Sequence, residues 1–139
     1  MSNTLQLEIV TPTGLIFNEP VAYVTVPGTE GEMEIHPLHV PVLTLLDAGE
    51  ITVRKPDNSN CYLAVGSGFI KITGEKVVIF TDMALKADEI DELKAEEARK
   101  RAEERLKGKL SDEEVATVNA SLTQSLAMLA VKQRRRGGL

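Results

Sequence analysis

Residues 24–46 read VTVPGTEGEMEIHPLHVPVLTLL, two short apolar runs on either side of a connection rich in proline, glycine and histidine. Pro27-Gly28 is a turn pair, and Gly31 permits a second reversal. Pro37 and Pro41 bracket His39 in a segment that suits neither a helix interior nor a paired central strand, because proline lacks the amide hydrogen both require. The stretch predicts a stiff, shaped loop at one end of a β layer. Around it, short alternating or β-branched runs recur between turn signals: LQLEIV, LIF, AYVTV, EMEI, VLTLL, EITVRK, CYLAVG, FIKI and KVVIFT. Asp47-Ala48-Gly49, the segment from Pro56 to Asn60, and Thr73-Gly74-Glu75 supply further turns. About nine short strands in roughly 80 residues imply an antiparallel sandwich or flattened barrel. Gly66 and Gly68 sit inside AVGSGFIKI, where a strand rather than a helix follows, so a bulge or close backbone approach fits better than a phosphate cradle.

From Ala84 the period changes, and every aromatic, every proline and the one cysteine lie before about residue 86. Asp88 is the expected N-cap of a helix running to about Lys107, with Glu96–Lys100, Glu97–Arg101 and Glu103–Lys107 spaced i,i+4. Gly108 is its expected left-handed terminator. Ser111 and Glu114 then have the spacing of a capping box, and Val115, Val118, Leu122, Leu126 and Leu129 follow as an apolar stripe. The first helix answers that stripe only with Ile90, Leu93 and Leu106 beside a row of Ala95, Ala98 and Ala102. A hairpin packed so thinly is a candidate two-state element. The fold class is therefore β followed by α: an antiparallel β-sandwich over residues 1–86, then an antiparallel two-helix hairpin over 87–139.

At 139 residues and 42% hydrophobic content the chain has enough apolar mass for a core. It lacks an apolar run of about 18 residues, and its N-terminus lacks a basic region leading into an apolar one, so residence in the cytosol or an equivalent compartment is expected. Cys61, alone in a strand-like run, reads as a core residue. A net charge of −5 argues against nucleic-acid binding through a basic surface. That charge is unevenly placed. Residues 1–86 hold ten acids and five bases, a net of −5, while 87–139 hold eleven of each. Asp88, Glu89, Asp91 and Glu92 open the second half, and Lys132, Arg134, Arg135 and Arg136 close it, which makes a polar rod with a basic tip. That tip suits either a solvated helix end or an electrostatic hand for an acidic protein surface. His36 and His39, near Glu32 and Glu34, invite a metal reading, but Pro37 breaks the helical spacing and no third ligand is evident, so a structural or partner-facing role is expected. With no G-x-S-x-G, Walker A lysine or marked Ser/His/Asp set, the chain does not read as a free-standing enzyme.

Four segments in order resemble the ε subunit of rotary F-type ATP synthases, called δ in mitochondria: LEIVTPTGLIF, VPGTEGEMEIHPLHVPVLT, AVGSGFIKITGEKVVIFTDMA, and IDELKAEEARKRAEERL leading to a second helix. They span nearly the whole chain. The resemblance implies a ten-stranded sandwich that binds the γ subunit and rests on the c-ring, coupling the two as a non-catalytic rotor subunit for proton-driven ATP synthesis. It implies a place on the cytoplasmic face of the cell membrane or on a plastid thylakoid, peripheral, within the F1 complex. The implied ring-facing positions are Glu32, His39, Pro41 and Thr44. Glu34 stands where the family commonly has glycine, and GSG replaces its more usual S-G-G. The resemblance further implies a hairpin that folds against the sandwich or extends along γ, inhibiting ATP hydrolysis when extended. Helices of about 20 and 25 residues would reach roughly 30 and 37 Å. Lys132, Arg134, Arg135 and Arg136 would then meet an acidic segment of the β subunit in the catalytic head of α and β subunits. Some members bind ATP on the folded hairpin through I/L-D-x-x-R-A, which here reads Ile90-Asp91-Glu92-Leu93-Lys94-Ala95. Lysine keeps the charge but loses the bidentate fork, so no cofactor is expected and ATP is at most a weak regulatory ligand. The alternative function is an ATP-sensing hairpin module.

Overall fold

A computed structural model of the chain describes residues 4–137, with side chains through Arg135. Ten strands come first: β1 (Leu5–Thr11), β2 (Gly14–Val21), β3 (Tyr23–Gly28), β4 (Gly31–Ile35), β5 (His39–Leu46), β6 (Gly49–Arg54), β7 (Asn60–Val65), β8 (Gly68–Gly74), β9 (Lys76–Thr81) and β10 (Ala84–Lys86). They form two five-stranded layers, β10-β7-β6-β3-β4 and β5-β8-β9-β1-β2, joined through the single pair Gly28–Leu46. All pairings are antiparallel except β1 with β9, which run parallel with Leu7 opposite Val77 and Ile9 opposite Ile79. No turn joins those two strands, so no hairpin constrains their relative direction.

Alternation puts one side of each strand inward. Leu5, Leu7 and Ile9 of β1 meet Val24 and Val26 of β3, Ile51 and Val53 of β6, Ile70 and Ile72 of β8, and Val77 and Ile79 of β9 in one core. That core ends at Ala84, so it draws nothing from the helices.

The opening stretch folds differently from its expectation in two places. Pro27 and Gly28 do not form the turn. They end β3, and Thr29-Glu30 make a two-residue hairpin loop closed by Gly28 opposite Gly31, whose φ of 126° only glycine adopts freely. Nor is the P-x-H-x-P segment excluded from pairing. β5 begins at His39 and pairs with β8, but the register breaks between His39 and Val42, so Pro41 falls at a bulge where its missing amide costs no ladder bond.

After β10 a 3₁₀ turn, Ala87–Glu89, leads to α1 (Glu92–Leu106) and α2 (Asp112–Gly137). Asp88 lies inside that turn, and the α1 N-cap is Asp91, whose carboxylate accepts the Lys94 amide at 3.1 Å. The first helix is shorter than expected, about 22 Å for 15 residues, and the second about 39 Å for 26. Gly108 is not left-handed. Lys107, in the right-handed region, ends α1, and the Lys107 and Gly108 amides reach back three residues in a tightened last turn. The predicted i,i+4 pairs give way to a cluster on Arg99, which grips Glu96 and Glu103 (2.6 Å) because its fork reaches both neighbours on one face. Ser111 and Glu114 do form a reciprocal capping box, at 3.1 and 3.2 Å.

Burial along α2 also differs from the predicted stripe. Val118 and Leu129 are buried, Val115 and Leu122 half-buried, but Leu126 is 48% exposed and Ser125 is buried instead. The Ser125 hydroxyl donates to the Ser121 carbonyl, so a small polar residue sits in the seam without an unmet bond. In α1, Ala95 and Ala102 are buried while Leu93 is exposed, so the helices meet through small residues. Near its C-terminal end α2 turns a second face to the sandwich, where Val131 packs with Ile90 and Ala64 over the outer side of β6 and β7.

Candidate functional site

The hairpin covers the outer side of one layer, while the outer side of the other carries a row of apolar residues set by the strand register. Leu45 of β5 is opposite Phe69 of β8, Phe69 opposite Phe80 of β9, Phe80 opposite Val10 of β1, and Val10 opposite Leu15 of β2. Phe69 and Phe80 stack with centroids 4.8 Å apart, and a shallow hollow lined by Val10, Pro12, Phe69 and Phe80 opens there. Leu45, Phe69 and Leu15 are 61%, 43% and 54% exposed, with Leu43 beside them at 70%. Single exposed leucines are ordinary; a row spanning five strands is the mark of a surface that meets another protein.

The four ring-facing candidates are strung out rather than clustered: His39, Pro41 and Thr44 belong to β5, the edge strand of this layer, with Thr44 opposite the buried Ile70 and so on its inward side, whereas Glu32 is on β4 of the other layer. Glu32 is exposed near the Leu46 end of β5, because Gly28 pairs with both Gly31 and Leu46, whereas His39 is at the far end opposite Gly74. The length of β5 puts them about 20 Å apart. Thr44 lies between them, half-buried, and Pro41 is exposed at the bulge. The His39 Nδ1 donates to the Val40 carbonyl at 2.7 Å, so the ring is held by its own loop. Leu38 beside it has φ of 65° and is 76% exposed. A leucine in that conformation is strained as well as wet, and neither property helps the free chain fold. His36 is employed elsewhere: it stacks on Tyr23 at 4.7 Å and lies 3.6 Å from Glu34. Among the described residues no three His, Cys, Asp or Glu side chains gather as a metal site. Burial pushes the Cys61 thiol up from its ordinary value, in keeping with a packing role.

The basic tip lies against the sandwich. Lys132 Nζ donates to the Ala87 carbonyl at 3.2 Å. Arg134 reaches Glu50 Oε1 at 2.9 Å, and Arg135 takes the same carboxylate through Nε and Nη2 at 2.9 and 2.7 Å. The Arg135 guanidinium also lies 3.7 Å from the centroid of the Tyr62 ring. Its bonds to Glu50 raise its already high pKa, so it is a permanent cation there. The Arg136 side chain lies outside the described residues. Sequence reasoning missed Glu50 and Tyr62, whose sole signal is strand alternation: both are outward positions on neighbouring strands, with Glu50 opposite Ala64 and Tyr62 opposite Thr52.

The four residues of the I/L-D-x-x-R-A-like segment have separate structural tasks. Ile90 is buried against Ala64 and Val131, Asp91 caps α1, Ala95 is buried on the same helix, and Lys94 is exposed.

Comparison with known proteins gives the same two-part division. Residues 4–87 match the family described as ATP synthase, Delta/Epsilon chain, beta-sandwich domain, and residues 88–133 the ATP synthase, Delta/Epsilon chain, long alpha-helix domain. The ATP synthase epsilon chain of Dehalococcoides mccartyi is 40% identical over 133 residues, covering 95% of this chain and 94% of that one. ATP synthase epsilon chain 2 of Ralstonia nicotianae is 37% identical over 132 residues, covering 95% of each. A chain in the cryo-EM structure of the Euglena gracilis mitochondrial ATP synthase, OSCP/F1/c-ring, matches with a TM-score of 0.74 at 26% identity, over 94% of this chain and 82% of that one. With both segments matched in order and relatives aligned nearly end to end, the chain belongs to the ATP synthase delta/epsilon family, as an epsilon chain.

Proposed function

We propose that the chain is a non-catalytic rotor subunit of an F-type ATP synthase, in which the sandwich ties the γ subunit to the c-ring and the hairpin, when extended toward the α and β subunits, slows ATP hydrolysis. The observation that carries this reading is the apolar row Leu45, Phe69, Phe80, Val10 and Leu15 on the face away from the hairpin. It gives the sandwich a partner surface that stays available whatever the hairpin does. Glu32 and the β5 residues His39, Pro41 and Thr44, in a stretch stiffened by proline and by the His39–Val40 bond, are the part assigned to the ring. Lys132, Arg134, Arg135 and Arg136 are the residues assigned to an acidic segment of the catalytic head. None of the described helices is long and apolar enough to cross a membrane, so the proposed membrane association is peripheral, through the complex.

The test is ATP hydrolysis by the cognate catalytic complex reconstituted with the full chain and with a chain ending at Lys86, binding of both being checked. A faster rate with the truncated chain is expected. Equal rates with both bound would remove the inhibitory hairpin and leave the coupling role; failure of both to bind would remove the partner surface.

The alternative, an ATP-sensing hairpin, is favoured by one feature, a cavity between α1 and α2 lined by Arg101, Arg105, Thr117 and Ser121. Against it stands Lys94 in place of arginine, which predicts weak binding that Lys94→Arg strengthens. Calorimetry with magnesium ATP on the two chains decides this, and equal silence from both would retire the alternative.

A further inference from the structure

Two arginines, Arg134 and Arg135, converge on one carboxylate, Glu50, whose side chain is only 10% exposed. One negative charge cannot neutralise two positive ones; Lys132, which bonds a carbonyl, adds a third, and Asp88, lining the same hollow as Lys132 and Arg135, returns a single negative charge, which leaves one positive charge in excess. The docked tip therefore keeps a surplus of positive charge beside a partly buried anion. Arg135 is the better held, because its fork engages both Glu50 oxygens while its face lies on Tyr62. Arg134 has one bond and a side chain 60% exposed, so it stays open to a second anion.

The apolar part of the dock is small: Ala64, Ile90 and Val131 are buried there, with Leu85, Ala87 and Met128 partly so. Upstream, α2 packs on α1, and the sandwich core ends at Ala84, before the 3₁₀ turn and both helices, so that core contains no residue of the hairpin.

We infer that Glu50 and Tyr62 form a receptor on the sandwich for the hairpin's terminal arginines, and that a protein surface presenting clustered carboxylates releases the hairpin by taking Arg134 and Arg135 from Glu50. The folded state is then not a passive resting form. The charges that hold the hairpin down are those an acidic partner reads, so each site competes with the other, and binding at one weakens the other by the same factor. The inference deepens the inhibitory reading of the tip and rests on it for its consequence in the complex, but the clasp itself is a property of the chain alone.

The experiment places spin labels at Ser67 and Gln133 in a full-length Cys61→Ser chain and reads their separation by pulsed electron resonance, with deca-glutamate as the acidic probe. The unaltered clasp gives one narrow distance. Glu50→Gln, nearly the same shape, is expected to raise the ratio of undocked to docked chains on the order of tenfold, and Tyr62→Leu to raise it less, with the melting of the sandwich unchanged. Deca-glutamate is expected to broaden the distance with Glu50 present, and to leave Arg134→Gln/Arg135→Gln, already released, unmoved. Unchanged distances in both Glu50→Gln and Tyr62→Leu overturn the inference, as does a peptide effect that persists without the two arginines. Hydrolysis by the complex separates the two readings: an undocked Glu50→Gln chain that leaves the rate unaltered retains the clasp and removes the brake, whereas an unmoved hairpin removes the clasp whatever the rate.

Discussion

Gly68 leaves no room for a β carbon: one placed there would lie 1.8 Å from the Phe80 carbonyl oxygen. That oxygen belongs to β9 and cannot swing away, so β8 and β9 must part for any larger residue. At Gly66 the obstruction is the Asp82 carboxylate, 1.7 Å from the same notional atom, but a side chain can rotate. Gly68→Ala is therefore expected to lower stability by about 1–3 kcal/mol, and Gly66→Ala by less, in urea unfolding of the purified chain. Reversed ranking would show that Asp82 is fixed by more than its contact with Gly66. Leu38 presents the opposite case, a residue whose backbone is strained at φ 65° and whose side chain is exposed. Leu38→Gly relieves roughly 1–2 kcal/mol of left-handed strain against a comparable loss of chain stiffness, so a melting temperature equal to or above that of the parent is expected. A large fall would mean that Leu38 is held in place by folding and not by a partner. The close approach at Gly66 and Gly68 was legible because glycine weakens a strand interior unless a neighbouring group needs the space. The strain at Leu38 was not, since nothing in the letters HPLHVP marks which residue takes the positive φ.

Local chemistry was legible where two partners satisfy each other within one turn, and not where a single residue was asked to end a helix, as Gly108 was, or where one arginine could reach two acids, as Arg99 does. The Ser111–Glu114 capping box forms because both partners lie within one turn. Ser111→Ala is expected to cost about 1 kcal/mol of α2 stability, seen as faster amide exchange at Val115, whose amide bonds to the Ser111 carbonyl. The Ser111 amide, and then its hydroxyl, hold the Glu114 carboxyl below its usual range. A depressed folded-state pKa means that the box's contribution is present above the unfolded carboxylate value of about 4.3 and is lost as pH falls through the folded one. Acidification below about pH 4 is thus expected to lower the protection of the Val115 amide, its exchange taken relative to the intrinsic rate at each pH, more in the parent chain than in Glu114→Gln. The α1 start shifted from Asp88 to Asp91 for a non-local reason: Ile90 has to stay extended to bury itself against Ala64 and Val131. Likewise the α2 stripe was misread at Leu126, since burial falls on the neighbouring Ser125, 2% exposed, and leaves Leu126 48% exposed. The Glu50–Tyr62 receptor was invisible for the same reason, being assembled from two strands and a helix end 84 and 85 residues apart from Glu50.

At the scale of the whole molecule the two outer faces of the sandwich have different fates. One is covered by the hairpin through a small apolar contact and an ionic clasp; the other carries five apolar residues in register, of which Leu45, Phe69 and Leu15 are exposed and Val10 and Phe80 half-buried, with neither described helix over them. Since the sandwich core runs from Leu5 to Ala84, a chain ending at Lys86 is expected to unfold cooperatively with a midpoint near that of the full chain, as followed by circular dichroism. The uncovered face should be indifferent to folding and decisive for assembly. Aromatic residues at the centre of an interface commonly carry about 2 kcal/mol or more of binding, and Phe69 lies between Leu45 and Phe80 in the row. Phe69→Glu puts a charge where a partner would strip its water, while in the free chain that charge stays solvated on a side chain 43% exposed. The expected outcome is an unchanged or slightly lower melting temperature together with loss of at least tenfold in affinity for the γ subunit, measured by titration calorimetry. Leu126→Glu, on the exposed side of the hairpin, supplies the control and should bind as the parent does. If Phe69→Glu binds γ undiminished, the row is not the anchoring surface, and Glu32, His39, Pro41 and Thr44 would have to supply the attachment instead.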